Sequence, residues 1–150
     1  QGLVVPFFVG EYTPDNVCCR QTTSGAVIEE KRPALVRFEV ANLRAMKLMY
    51  DDPETTIATL AAFSGQSEDY VKYCIYDGCM KISMDPAKNR VVEFFDVMKA
   101  NGDIDADVEN TMADHVDASI YLDALNTVLE RYPDDVHFRE MLEEYDANNL

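Results

Sequence analysis

The stretch that decides the fold is Leu3-Val4-Val5-Pro6-Phe7-Phe8-Val9-Gly10, followed by Val17-Cys18-Cys19-Arg20-Gln21-Thr22. Its first part is a short apolar run closed by glycine, the pattern of a buried strand. Pro6 has no N–H to give to a ladder, which places it at an edge or a bulge. Thr13-Pro14-Asp15-Asn16 reads as a turn, and residues 17–22 read as a second strand. Thr23-Ser24-Gly25 then leads into a helical turn from Ala26 to Lys31. Two strands make a poor sheet by themselves, because an isolated pair is marginal in water. The opening therefore predicts partners for the first strand outside these 150 residues, or in another copy of the chain. The chain also begins with Gln, and the expectation is a trimmed or processed piece of a longer polypeptide.

Beyond residue 32 the helix signals dominate. Pro33 suits the first turn of a helix, and Leu35, Val36, Val40, Leu43, Met46, Met49 and Tyr50 trace a stripe at steps of three and four. Asp51-Asp52-Pro53-Glu54 stops that helix and caps the next, which carries Ile57, Leu60, Ala61 and Phe63 and ends at Ser64-Gly65-Gln66. Ser67 caps a third, with Tyr70, Val71, Cys74 and Ile75 inward, and Gly78 breaks it. Residues 81–84 read as a strand or an extended link. Asp85-Pro86 reads as a cap plus a first-turn proline, opening a helix with Val91, Val92, Phe94, Phe95 and Met98 that stops at Asn101-Gly102. Asp107 to Val116 reads as a short helix or turn. Asp117 caps a regular helix with Ile120, Tyr121, Ala124, Leu125, Val128, Leu129 and Tyr132. After Pro133-Asp134, a last helix is expected to use Val136, Met141, Leu142 and Tyr145. The fold class expected from the residues is therefore α/β, predominantly helical, with about six helices and two or three short strands mostly at the start.

Composition limits the function classes. Thirteen Lys and Arg stand against 28 Asp and Glu, giving a net charge of −15, which argues against a nucleic-acid binder needing a basic face. No apolar run approaches the ~20 residues of a membrane span. A hydrophobic content of 47% is that of a globular chain, so disorder is not expected. The charge is uneven: residues 1–50 carry five acids and six bases, whereas residues 101–150 carry 14 acids and two bases. The last third then reads as helices with solvated acidic faces, or as a surface for a basic partner.

Few residues offer chemistry. Cys18-Cys19 could close a strained vicinal disulfide, bind a metal, or serve as structural thiols. On a strand the two side chains point to opposite faces, which disfavours shared ligation. Arg20-Gln21-Thr22-Thr23 sets a guanidinium, an amide and two hydroxyls before a helix start, a candidate site for a small anion. Cys19, Arg20, Gln21, Thr22 and Thr23 are accordingly the candidate ligand-binding residues. The run Asp103, Asp105, Asp107 and Glu109 with Asp114 imitates a calcium loop, but Val108 stands where the turn needs Gly and Asp114 where a Glu is needed. No metal site is expected there. His115 and His137 stand alone, and no nucleophile–base triad or glycine-rich phosphate loop is present. The sequence predicts no enzyme activity and no cofactor.

The order of these pieces resembles a known family. Cys18-Cys19-Arg20-Gln21, then Ile28 to Phe38, then Ala41-Asn42-Leu43-Arg44-Ala45-Met46-Lys47, then Asp52-Pro53-Glu54-Thr55-Thr56-Ile57, looks like the C-terminal half of ABC-transporter substrate-binding proteins. The branch is the nitrate/sulfonate/taurine and thiamine-precursor group. Asp85-Pro86-Ala87-Lys88-Asn89 also suits that family, and the resemblance covers most of residues 15–130. It implies a two-lobed, periplasmic-binding-protein-like fold of type II, of which residues 1–150 would be the C-terminal portion with the first lobe absent. It further implies an extracytoplasmic solute receptor that binds a small anionic or heterocyclic nutrient and delivers it to an ABC permease at the membrane. Two alternatives stand beside it. One is a stand-alone acidic helical interaction domain. The other is a fragment of a thiamine-pyrimidine precursor synthase-like protein, whose Cys-Cys-Cys-x-Cys strand is matched here only by Cys18-Cys19 followed by Arg20.

Overall fold

A computed structural model describes residues 4, 6–13, 16–78 and 80–150. The strand residues Leu3 and Val5, the turn residues Pro14 and Asp15, and Cys79 lie outside the described residues. Among the described residues the secondary structure is helical throughout: α1 (Val9–Tyr12), α2 (Gly25–Asp51), α3 (Pro53–Ser64), α4 (Glu68–Ile75), α5 (Lys88–Asn101), a 3-10 turn (Met112–His115), α6 (Ser119–Arg131) and α7 (Val136–Asn149). The expected α/β class is thereby corrected, and with it the two-lobed sheet-bearing architecture that the family resemblance implies. The described residues contain no strand. Both predicted strands fail for the same reason: a strand exists only when a neighbour completes its ladder. The chain divides into two compact units, Gln1–Asn16 with Leu48–Ser83, and Val17–Lys47 with Met84–Leu150. The first apolar run belongs to the smaller unit and the second to the larger. Within the first run the backbone instead winds into α1, where the Glu11 carboxylate reaches back to accept the Phe8 N–H at 2.9 Å.

In the larger unit, α6 and α7 pack against each other. The α6 stripe Tyr121, Ala124, Leu125 and Val128 is buried at helical spacing and meets Phe138, Met141 and Tyr145 of α7. Stacked rings of Tyr121 and Tyr145, 6.1 Å apart, and tilted rings of Tyr132 and Phe138, also 6.1 Å apart, set the two helices antiparallel. The register of α7 differs from the expected one. Phe138 is fully buried, while Val136 is 58% exposed. Asp135 is the cause: its carboxylate accepts the His137 and Phe138 N–H groups at 3.1 Å each, so the helix starts there and turns Phe138 inward.

Pro33 does not open a helix as expected but sits inside the 27-residue α2. It supplies no N–H to the Glu29 carbonyl, a cost that interior prolines normally carry at about 3 kcal/mol. Contacts to later helices flank the proline. Arg32 donates to Asp123 at 2.7 Å and to the Ser119 hydroxyl at 2.9 Å, and lies 3.4 Å from Asp117. Fifteen residues on, Lys47 pairs with Asp135 at 2.8 Å. The span between those anchors is about 22 Å of helix, and Leu43 and Met46 are buried near its end. One face of α2 is thus tied at both ends of α6.

Asp85 does not cap α5. It is buried, and its two oxygens accept the Asn148 amide at 2.9 Å and the Asn149 amide at 2.7 Å. Asn149 also accepts the Lys88 N–H at 2.9 Å. The first turn of α5 is therefore capped from the end of α7, with Ala87 between them in the left-handed region at φ 51°.

The smaller unit holds α1, α3 and α4. Here the expected caps are in place. Asp52 accepts the Thr55 N–H at 3.0 Å with Pro53 in the first turn, Gly65 ends α3 at φ 69°, and Ser67 accepts the Tyr70 N–H at 3.2 Å. α3 packs on α4, and the buried side chains are Thr56, Ala61 and Val71.

Candidate functional site

The sequence-predicted site residues Cys19, Arg20, Gln21, Thr22 and Thr23 lie on an exposed extended segment leading to α2. The helix start itself is capped by Ser24, whose hydroxyl accepts the Val27 N–H at 3.3 Å. Arg20 is turned toward backbone oxygens. Its Nε donates to the Pro86 carbonyl at 2.7 Å and one Nη donates to the Cys19 carbonyl at 2.7 Å. The guanidinium that was expected to clamp an anion instead ties the segment to the turn before α5. The sulfurs of Cys18 and Cys19 lie 3.6 Å apart. The contact with Cys19 holds the Cys18 thiol above its usual range, and the charge of Cys19 adds to that.

The strongest electrostatic cluster is the Arg32 group. Its hydrogen bond to Asp123 raises the guanidinium's affinity for its proton. Burial pushes Asp117 up, but the Ser119 hydroxyl and N–H together with Arg32 outweigh it, and the net direction is down. Asp135 behaves alike: burial raises it, and Lys47 with the α7 N–H groups brings it below the ordinary range. Asp85 goes the other way, because burial outweighs its two asparagine donors. These groups hold helices together and leave little free valence for a ligand. Among the described residues no group of three or more His, Cys, Asp or Glu side chains is placed to hold a metal ion. Among the described residues no helix is long and apolar enough to cross a membrane.

A different surface stands out in the smaller unit. On α4, Asp69, Tyr70 and Tyr73 share one face by their spacing of three and four. Tyr70 is 55% and Tyr73 45% exposed, while Val71 takes the buried side. The Phe8 ring lies 6.3 Å from Tyr73, and the exposed rings of Phe7 and Tyr12 meet edge-on at 4.7 Å. Phe63, at the end of α3, is 89% exposed. The unit carries eight acidic and two basic side chains, with Glu11, Glu68, Asp69 and Asp77 close in sequence to these aromatics. The apolar spacing predicts Tyr70 inward with Val71, Cys74 and Ile75, whereas Tyr70 is exposed. The signal against that was Asp69, whose charge shares a helix face with Tyr73. Compared with known proteins, the chain matches no protein-family model, no curated protein and no solved structure.

Proposed function

We propose that this chain is an acidic helical interaction module that docks a basic, amphipathic segment of a partner protein. The observation that supports it is the exposed Tyr70–Tyr73 face of α4, with Asp69 on the same helix and Asp77 two residues past its end. Tyrosine is the residue type that gives interfaces their area at low entropic cost, and its ring attracts Lys and Arg. Acidic neighbours then select a basic partner and steer its approach. A solute receptor would draw on a sheet-bearing lobe, and the helical architecture offers that reading no support. A precursor-synthase fragment would draw on a cysteine-bearing strand, which is likewise absent among the described residues.

The test uses the full chain and a synthetic helical peptide with Lys on one face and Leu on the other, followed by calorimetry. Binding is expected to weaken as salt rises. Tyr70→Ala with Tyr73→Ala should remove most of it, and Asp69→Asn with Asp77→Asn should weaken it and flatten its dependence on salt and on peptide charge. Equal binding of a Glu/Leu peptide, or binding unaffected by the tyrosine pair, would overturn the reading.

A further inference from the structure

Cys18 and Cys19 carry a second inference, independent of the docking face. On a strand their side chains would diverge. In the observed extended segment, free of any ladder, both sulfurs turn to the same side, 3.6 Å apart and exposed. Two reactions open to such a pair make different geometric demands. A disulfide needs the sulfurs to close to about 2.05 Å between Cα atoms normally at least ~4.4 Å apart. Across the trans peptide that joins Cys18 to Cys19, the Cα atoms are held near 3.8 Å, so the ring closes only under strain. A tetrahedral ion with metal–sulfur bonds of about 2.3 Å holds two thiolates roughly 3.8 Å apart. The observed spacing already matches that bite. Arg20 fixes the backbone beneath it through the Cys19 and Pro86 carbonyls.

We propose that Cys18 and Cys19 form a two-thiolate chelating site for a thiophilic divalent cation of the zinc–cadmium class. Each thiol gives up its proton as its sulfur replaces a water on the ion, so two protons leave for each ion bound. The proposed site has two protein ligands, with water in the remaining positions. Such a site exchanges its ion, unlike a closed four-ligand structural site.

The experiment titrates cadmium chloride into the reduced full chain carrying Cys74→Ser and Cys79→Ser, under anaerobic conditions. Thiolate-to-metal absorbance and proton release are read together. The expected result is saturation at one ion per chain with two protons released. Cys18→Ser or Cys19→Ser alone should weaken binding roughly 10²-fold by removing the chelate link, with the helical circular dichroism unchanged. An ion bridging two chains, the absence of a sulfur charge-transfer band, or equal affinity in the single variants would overturn the assignment.

Discussion

The two units of the chain solve the burial problem differently. In the larger one, α6 and α7 bury Tyr121, Leu125, Phe138, Met141 and Tyr145 between them, with Leu43 and Met46 of α2. In the smaller one, α3 and α4 bury only Thr56, Ala61 and Val71 among the described residues. Yet the smaller unit leaves Phe7, Tyr12, Tyr50, Phe63, Tyr70 and Tyr73 exposed. A single buried valine contributes about 1.5–3 kcal/mol, which is little for a helix pair to rest on. The difference teaches that caps and core are separate achievements. The smaller unit has better-formed local caps, at Asp52, Ser67 and Gly65, than it has packing.

The largest expected effect lies in the core of the larger unit. Phe138→Ala should cost about 3–5 kcal/mol in urea unfolding, against less than ~0.5 kcal/mol for Phe63→Ala in the smaller one. Similar losses for both would erase the distinction. Next comes Asp85→Ala, which leaves the Asn148 and Asn149 amides without their carboxylate and should cost about 1–3 kcal/mol, read as a lower unfolding midpoint.

Acid titration sharpens the comparison within the larger unit. The folded pKa of Asp117 and of Asp135 is lowered. Their contribution is therefore present above the unfolded value of about 3.9 and is lost as pH falls below it through the folded value. Asp85 is raised, so its contribution is full below the unfolded value and declines as pH climbs through the folded one. Stability measured against pH should fall on the acid side in the parent chain and fall less in Asp117→Asn. In Asp85→Asn the loss above pH ~4 should disappear. Arg32→Met is expected to have the smallest effect, about 0–1 kcal/mol, because its partners are half exposed. A loss well beyond that would show that the anchor beside Pro33 holds α2 in place.

What was legible in the sequence was local. The Asp52-Pro53 cap, the Ser67 cap, the Gly102 stop and the α6 stripe are each specified within a few neighbouring residues. What was not legible depended on distant partners. A strand at residues 3–9 or 17–22 needs a neighbour that no local pattern supplies. The cap on Lys88 comes from Asn149, 61 residues away. The partners of Arg32, next to the interior Pro33, lie 85 to 91 positions further on. The contact that Arg20 makes was not legible for the same reason, since its Nε finds the Pro86 carbonyl 66 residues along. The Tyr70–Tyr73 face escaped because its exposure reflects a core that the smaller unit does not build.

Hydrogen exchange on the full chain, with and without the Lys/Leu peptide, reads the difference between the two units and the docking face in one measurement. Amides of α3 and α4 are expected to exchange at least ~10²-fold faster than those of α6 and α7 in the free chain, and the peptide is expected to slow exchange in α4 while leaving α6 and α7 unchanged. Uniform protection across both units, or peptide protection confined to α6 and α7, would contradict it.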